Sequence, residues 1–362
     1  MAIFEKYQEV PLVSSRYFNQ CWIEVNGTSN ASVNYSMKDD FWIQEPYSLI
    51  AAFVFGCQGI AGIILNTLVI ISLLRNCELR KGYLTPSIVS IALTDLIFSM
   101  PGCLGYAISL LNRDMVWPCG CPALSFVYYG LWICSALNLI CIAALRVMLV
   151  RYPRKTKTRE FRLACKLLPV IAWTMSFFWL FPTAIGKFGR FGLDCNLLMC
   201  RFINLNFDGS TSYPEETYEV GIIIIGASIF LLNVFTYVRI TTEYRSILKD
   251  ISSAEDKAKK NILEKERQVG KMVTLIIMSF FIVYFPIVIL RLADPGIMTK
   301  SPNIYILTSI LANSIGIIDP LVYIAFNTEY RTEVKSLVND ATSFLFSRKA
   351  YLEVQKISPN EQ

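Results

Sequence analysis

Long runs of apolar residues, nearly free of charge, dominate this sequence. A helix needs about 20 such residues to cross the hydrocarbon core of a lipid bilayer. Seven runs reach that length, so the sequence predicts an all-α membrane protein with a seven-helix bundle. The predicted spans 1 to 7 cover residues 46–74, 84–111, 121–150, 164–185, 220–237, 269–292 and 304–326.

The composition agrees with a membrane protein. Hydrophobic residues make up 54% of the chain and charged residues 17%, against roughly 45–50% and about 25% in ordinary soluble domains. The chain contains no histidine, which excludes a Ser-His-Asp triad, a Cys-His protease and a zinc site with imidazole ligands. The net charge of +6 is modest and lies in certain loops. We therefore predict neither an enzyme nor a nucleic-acid partner.

Lysine and arginine are concentrated in alternate loops, those that follow spans 1, 3 and 5. Positively charged loops stay in the cytoplasm, so we expect a multi-pass plasma-membrane protein with its N-terminus outside and its C-terminus in the cytoplasm. Three N-glycosylation sequons in the first 45 residues, at Asn26, Asn30 and Asn34, agree with an outer tail.

These assignments divide the chain into three regions. Residues 1–45 form an extracellular glycosylated tail, 46–326 the seven-span membrane domain, and 327–362 an amphipathic helix with a cytoplasmic tail. The helix is predicted over 328–345, where apolar side chains fall on one face that would lie on the membrane. Alternating charges in the loop 240–268 favour helical extensions of spans 5 and 6.

Five cysteines fall on the predicted outer side of the membrane, where disulfides can form. They allow two disulfides with one cysteine left over, and the sequence alone leaves the pairing open. The five are Cys21, Cys119, Cys121, Cys195 and Cys200.

Polar residues inside the spans are costly in lipid and usually serve a function. Span 3 ends in Leu145-Arg146-Val147, and span 7 contains Asp319-Pro-x-x-Tyr323. With Asn66 in span 1, Asp95 in span 2, Trp173 in span 4, and Phe280, Tyr284 and Pro286 in span 6, the chain from residue 46 to about 338 resembles the rhodopsin-like (class A) G-protein-coupled receptors.

Two shorter sequence segments narrow this resemblance to one group within the family. The segment 187–194, and Asn327-x-x-Tyr330-Arg331 after span 7, are most similar to invertebrate orphan receptors of the moody and trapped-in-endoderm group, relatives of melatonin receptors. The resemblance implies a receptor that transmits an extracellular ligand signal to a heterotrimeric G protein. It also implies arrestin and receptor kinases as partners, and a disulfide between Cys121 and Cys200.

The resemblance assigns roles to residues within the spans. Coupling to the G protein would depend on an arginine latch in which Glu266, about 30 Å along span 6 from Pro286, pairs with Arg146. The implied sodium or proton site could equally be a set of separately hydrogen-bonded packing residues. The switch residues are Arg146, Glu266, Tyr237, Tyr323 and Pro320; the sodium or proton site is Asp95, Ser135 and Asp319; the toggle is Phe280, Tyr284 and Pro286.

The implied ligand pocket is aromatic and mostly apolar, which favours a lipid-like, an indole-like or a peptide ligand. Asn313 stands where opsins carry the lysine that binds retinal, so a visual pigment is excluded. No cofactor is expected apart from the sodium ion. The pocket residues are Tyr128, Tyr129, Trp132, Ile287, Arg291, Ser309 and Asn313.

The sequence departs from the family pattern at four positions. Leu145 replaces an acidic residue, Val147 an aromatic one, Tyr284 a tryptophan and Ile229 a proline. Without an adjacent carboxylate Arg146 loses its nearest counter-ion, so we expect a weaker off-state with raised basal signalling or an altered choice of G protein. As an alternative, Arg146 is merely an anchor at the membrane edge.

Two other functions compete with a signalling receptor. One is a receptor-like protein with lost or biased coupling that works as a scaffold or in adhesion. The other is a seven-helix transporter or channel. Transporters usually contain internal repeats, and neither half of this chain resembles the other.

Overall fold

The computed structural model describes residues 45–112, 120–152, 156, 158–185, 190–194, 197–203, 257–293 and 301–357, with single residues between 228 and 242. Most of the predicted tail, with Asn26, Asn30 and Asn34, lies outside these residues, as does most of span 5, with Ile229 and Tyr237. Only the backbone is described at Glu266 and Arg291.

Within the described part of the chain, six helices are long and apolar enough to cross a membrane. They correspond to predicted spans 1 to 4, 6 and 7, with most ends within a few residues of the prediction. Their bounds are Tyr47–Arg75, Thr85–Asn112, Cys121–Arg146, Arg159–Ala184, Gln268–Leu290 and Pro302–Phe326.

Several helices continue beyond the apolar runs. Span 3 extends to Arg151, span 4 begins at Arg159 and not at 164, and the span 6 helix covers Lys257–Ala293. Charged residues stop an apolar window but do not stop a helix that has entered water or the headgroup layer. The expected helical extension of span 6 is therefore present.

Two spans are irregular. Span 2 consists of α-helices Thr85–Phe98 and Tyr106–Asn112 joined by a π-helical segment, Ser99–Gly105. Pro101 lies in that segment, and a proline lacks the N–H that an α-helical bond would need. Span 7 is divided at Ser314 into Pro302–Asn313 and Ile315–Phe326.

A β-hairpin follows span 4, which the sequence analysis did not predict. Strand β1, Arg190–Asp194, pairs antiparallel with strand β2, Met199–Ile203, and Leu193 lies opposite Cys200. The Cys121–Cys200 disulfide, with Cα atoms 5.1 Å apart, ties β2 to the start of span 3. This confirms the pairing that the family resemblance implied. We call this side the disulfide end of the bundle, and the opposite side, where Arg146 lies, the arginine end.

Apolar residues occupy both the interior and the outer surface of the bundle. Phe53, Phe178 and Leu307 are 73%, 74% and 67% exposed on the outer surface, where lipid would cover them. The interior also contains polar bridges between spans. Asn66 Nδ2 donates to the Gly316 carbonyl at 2.8 Å, which joins spans 1 and 7. Asn138 Nδ2 and Trp173 Nε1 each donate to Ser90 Oγ at 3.0 Å.

The C-terminal helix covers Thr328–Ile357 and is longer than the predicted 328–345. Arg75, the last residue of span 1, lies 3.5 Å from Glu333 and 3.0 Å from Asp340 of this helix. Arg331 Nε donates to the Ile324 carbonyl at 2.9 Å, which satisfies one of the free carbonyls at the end of span 7. These contacts place the helix beside the arginine end of spans 1 and 7.

Gly130 in span 3 allows a close approach to span 4. A Cβ atom at this position would overlap the ring of Phe177, and that ring is held between Trp173 and Phe126. Gly56 in span 1 has open space, with its nearest neighbour 4.0 Å from a Cβ atom.

We therefore expect Gly130→Ala to destabilise the folded protein by about 1–3 kcal/mol, the usual range for overpacking. The matched variant Gly56→Ala should be neutral or slightly more stable, because alanine favours a helix by about 1 kcal/mol over glycine. Thermal unfolding of the purified proteins in detergent measures both. Equal unfolding temperatures for Gly130→Ala and the unchanged protein would contradict this packing.

Candidate functional site

A cavity of about 260 Å³ lies inside the bundle on the side of the disulfide end. Its walls come from spans 1, 2, 3, 6 and 7 and from strand β2. Six of the seven predicted pocket residues line it, and the seventh, Arg291, has no described side chain. The six are Tyr128, Tyr129, Trp132, Ile287, Ser309 and Asn313.

The same cavity continues to the predicted sodium or proton site. Asp95, Ser135 and Asp319 all line it, so the two sites predicted separately share one space. The sequence analysis missed this continuity because it depends on how spans 2, 3 and 7 pack. A ligand in the cavity and an ion at the carboxylates would therefore lie close enough to influence each other.

The two carboxylates have room for a further partner. Asp95 Oδ2 and Asp319 Oδ1 are buried and have no hydrogen-bond partner in the described structure. Ser135 Oγ lies 2.7 Å from Thr94 Oγ1, so this serine is paired with a hydroxyl of span 2. Two unpaired carboxylate oxygens with nearby hydroxyls are a suitable ligand set for a hard monovalent cation. A shared proton would also satisfy them.

No larger acidic cluster is available among the described residues. They contain no group of three or more His, Cys, Asp or Glu side chains that could hold a metal ion. The other ligands of a cation at Asp95 and Asp319 would therefore be neutral oxygens. A divalent ion such as Ca²⁺ takes about six to eight oxygen ligands, commonly with several carboxylates among them, so two carboxylates with neutral oxygens fit a singly charged ion better.

An aromatic cluster joins spans 3 and 6 at the cavity wall. Trp132 stacks on Phe280 with ring centroids 6.4 Å apart, and it meets Tyr284 edge-on at 5.6 Å. Phe280 and Tyr284 lie 4.6 Å apart. These are two of the predicted toggle residues, and the third, Pro286, lies inside the span 6 helix. A ligand that changed the position of Trp132 would therefore act directly on span 6.

The hairpin covers the cavity. Leu197, in the turn between the strands, is fully buried and packs against Tyr305 of span 7. Tyr106 of span 2 donates its hydroxyl hydrogen to the Leu197 carbonyl at 2.9 Å. Leu198, Met199 and Cys200 belong to the cavity lining. Three attachments, to spans 2, 3 and 7, thus hold the hairpin over the cavity.

Arg146 lies at the opposite end of span 3 and is 2% exposed. Its Nη2 would be 3.5 Å from a Cβ atom on Gly270 of span 6, so the guanidinium fills the space beside this glycine. A side chain buried against a neighbouring helix is not in the position of an anchor at the membrane edge. Glu266 is four residues before Gly270 on the same helix, and its pairing with Arg146 stays a prediction.

Leu145, which departs from the family pattern next to Arg146, also contributes to the packing of the core. Leu145 is 3% exposed and belongs to the main buried apolar cluster, together with Met272 and Val273 of span 6. The position that is acidic in the family pattern therefore contributes to the core here. An apolar residue and a cation thus occupy adjacent buried positions at this end of span 3.

Span 7 and the C-terminal helix meet through two tyrosines. Tyr323 and Tyr330 are buried, and their rings meet edge-on with centroids 6.4 Å apart. Burial raises the pKa of the Tyr330 phenol above its ordinary value, so this side chain stays neutral. Pro320, three residues before Tyr323, is buried within the second half of span 7. Tyr237 is outside the described residues.

The described helices form a membrane bundle with a cavity at one end and a buried arginine at the other, which is the arrangement of a helical membrane receptor. Comparison with known proteins identifies the family. Residues 65–323 match the model of the 7 transmembrane receptor (rhodopsin family). The chain belongs to this family, and the predicted seven-span fold and G-protein-coupled receptor function are confirmed.

Two known relatives agree with this assignment. The chain is 22% identical over 308 residues to protein trapped in endoderm-1 of Drosophila melanogaster, covering 79% of this chain and 75% of that protein. It is 22% identical over 362 residues to the G-protein coupled receptor moody of the same fly, covering 81% of this chain but only 51% of that receptor. The predicted resemblance to this group is confirmed.

A solved structure shows the same fold. Squid rhodopsin superimposes with a TM-score of 0.71 at 18% sequence identity, covering 85% of this chain and 91% of rhodopsin. At this level of identity the match concerns the arrangement of the helices alone. The family and the fold are those of receptors and not of enzymes.

Proposed function

We propose that this receptor carries a signal from a ligand in the cavity to a heterotrimeric G protein bound at the arginine end. The disulfide end, with the glycosylated tail, would face the outside, and the C-terminal helix would lie at the cytoplasmic surface. Arrestin and receptor kinases would then share the cytoplasmic face with the G protein. The observation that carries the proposal is the burial of Arg146 against Gly270, at the end of spans 3 and 6 opposite to the cavity.

The proposed signal passes along spans 3 and 6. Trp132 connects them beside the cavity through Phe280 and Tyr284, and Arg146 connects them at the other end. A ligand shifts a two-state equilibrium only to the extent that it binds one state better. Contacts of the ligand with this aromatic cluster would supply the difference in affinity between the two states, because the positions of the rings change when spans 3 and 6 move relative to each other.

The missing carboxylate next to Arg146 should weaken the off-state. A charge inside a membrane protein needs a partner, and Leu145 offers none. The G-protein-facing state would then be populated without ligand. Glu266 would be the remaining acidic partner of Arg146 on span 6.

Arg146→Ala should abolish guanine-nucleotide exchange on co-expressed G proteins, measured without ligand at matched surface expression. Leu145→Asp should lower basal exchange, because the new carboxylate gives the arginine a second partner in the off-state. Leu145→Asn is the matched control, because asparagine has the shape of aspartate without its charge. Basal exchange in Leu145→Asn should stay above that in Leu145→Asp.

The outcomes separate the competing functions. Basal exchange that is unaffected by Arg146→Ala would contradict the coupling role and favour a scaffold or adhesion function. Equal exchange in Leu145→Asp and the unchanged receptor would contradict the weakened off-state. Equal losses in the Asp and Asn variants would assign the effect to packing in the core.

We also propose that Asp95 and Asp319 hold a sodium ion or share a proton, with Ser135 nearby. The support is that one oxygen of each carboxylate is buried without a partner in a cavity that they share. When bound, the ion would supply positive charge that lets both carboxylates stay ionised. Asp95 and Asp319 would thereby connect spans 2 and 7 in the off-state.

Sodium chloride should raise the unfolding temperature of the purified receptor above its value in choline chloride at the same ionic strength, since a ligand that binds the folded state stabilises it. Asp95→Asn should abolish the difference, whereas the matched variant Asp340→Asn, on the C-terminal helix, should keep it. A dependence on pH without one on sodium would assign the proton. A full sodium response in Asp95→Asn would contradict the site.

A further inference from the structure

The charged side chains among the described residues that line the cavity are Asp95 and Asp319, and both are acidic. A ligand with a carboxylate or a phosphate would bury its charge beside groups of the same sign. Burying an unpaired charge in a low-dielectric interior costs several kcal/mol. The described part of the cavity lining therefore selects against anionic ligands.

Three hydroxyl groups of the lining use their hydrogens within the protein. Ser99 Oγ donates to the Asp95 carbonyl at 2.7 Å, and Ser309 Oγ donates to the Tyr305 carbonyl at 2.8 Å. Tyr106 donates to the Leu197 carbonyl, as described above. A hydroxyl has one hydrogen and two lone pairs. What these groups can still offer to a ligand is an acceptor oxygen.

Gln58 of span 1 also donates within the protein and leaves an acceptor oxygen. Its Nε2 donates to the Ile310 carbonyl of span 7 at 2.8 Å. A carbonyl can only accept, so this contact sets the orientation of the amide. Gln58 Oε1 is then the free end, and it is buried without a partner in the described structure. A buried acceptor without a partner costs about 1–3 kcal/mol, which a donor group on a ligand would recover.

Other donors of the lining are the hydroxyls of Tyr128, Tyr129 and Tyr284 and the indole N–H of Trp132. They lie on the aromatic side of the cavity, on spans 3 and 6, whereas Gln58 and Ser309 lie on spans 1 and 7. The two sides of the cavity therefore differ. One side contains the acceptor oxygens of Gln58 and Ser309, and the other contains aromatic rings with their hydroxyl groups and one indole N–H.

The hairpin limits the size of the ligand. Leu197 is buried between Tyr106 and Tyr305, and the disulfide fixes strand β2 above span 3. The cavity beneath, about 260 Å³, is slightly below the range of about 300–1,000 Å³ for small-molecule sites, which favours a small ligand over a peptide.

We infer that the ligand is a small, non-anionic molecule that has an aromatic or apolar body and a hydrogen-bond donor, either a hydroxyl, a neutral N–H or an ammonium group. The donor binds on the side of Gln58 and Ser309, and the body packs against Trp132 and Tyr284. This inference rests on the proposed function for its biological meaning, but the selectivity it assigns belongs to the cavity itself.

Cys103 provides a direct test, because this cysteine is buried and lines the cavity. The purified receptor is treated with two thiol reagents of similar size, aminoethyl methanethiosulfonate, a cation, and sulfonatoethyl methanethiosulfonate, an anion. Peptide mass spectrometry measures the labelling of Cys103 in each case. The rates are divided by those of the same reagents with a small free thiol.

The cationic reagent should label Cys103 at least about tenfold faster than the anionic one, since a site lined by one sign of charge concentrates the opposite sign by about ten- to a thousandfold. Equal rates, or faster labelling by the sulfonate, would overturn the inference. Failure of both reagents would also overturn it, because a cavity closed to a two-carbon cation admits no ligand of the proposed kind.

Ligand chemistry is tested by protection of Cys103 from labelling. Tryptophol, tryptamine and indole-3-acetate have the same ring and differ in their polar end, which is a hydroxyl, an ammonium and a carboxylate. Tryptophol or tryptamine should protect, and the stronger of the two tells whether the preferred donor is neutral or charged. Protection by indole-3-acetate at an equal concentration, or by none of the three, would overturn the inference.

The variant Gln58→Met keeps the length of the side chain but removes the acceptor. It should raise the concentration needed for protection about tenfold, the value of one hydrogen bond of about 1.4 kcal/mol. Cys57→Ser, an exposed neighbour on the same helix, is the matched control and should leave protection unchanged. Unchanged protection in Gln58→Met would overturn the role of Gln58. No G protein takes part in these measurements, so their failure and the failure of coupling are distinguishable.

Discussion

The bilayer offers no hydrogen-bond partners to a protein that crosses it, and this constraint organises the structure. Every polar group in the spans must be paired inside the bundle or be left unpaired at a cost. Asn66 illustrates the result, since its amide donates to backbone carbonyls of its own span and of span 7. Ser90 accepts from spans 3 and 4 together. Polar side chains thus join particular helices, while apolar side chains both fill the core and face the lipid.

The same constraint determines the chemistry of the cavity. Serine hydroxyls inside a helix donate to the carbonyl one turn earlier, as Ser99 and Ser309 do. Their hydrogens are then no longer available, so these two serines offer the cavity acceptor oxygens. The acidic pair at Asp95 and Asp319 adds to this bias. The preference of the cavity for a donor therefore follows from the way in which its helices satisfy their own polar groups.

The sequence predicted the spans well because their length reflects the thickness of the bilayer. It predicted their ends less well, since Arg159 and Lys257 begin helices that extend beyond the apolar region. The hairpin and the π-helical segment of span 2 were not predicted, because both depend on packing against other spans. The disulfide partner of Cys121 came from the family resemblance, whereas the charge pattern alone left the pairing open.

Residues of the site were predictable to a similar degree. Aspartates in apolar spans are conspicuous, so Asp95 and Asp319 could be found without a structure. Gln58 could not, because one glutamine in a long apolar run gives no indication of the direction in which it points. Its role depends on the Ile310 carbonyl, 252 positions further along the chain. Long-range contacts of this kind are what the structure adds.

The two ends of the receptor are connected through spans 3 and 6 by rigid elements. Trp132 and Arg146 are 14 residues apart on one continuous helix, which corresponds to about 21 Å. Both side chains contact span 6, the first through Phe280 and the second beside Gly270. Because a helix of this length moves nearly as a rigid body, a shift of span 6 at the aromatic cluster also changes the space available to the guanidinium. Leu145 adds to this effect. Because position 145 is leucine, span 3 offers Arg146 no neighbouring carboxylate that could compete with partners on span 6. The position of span 6 therefore governs the partners of Arg146 more strongly here than it would with an acidic neighbour.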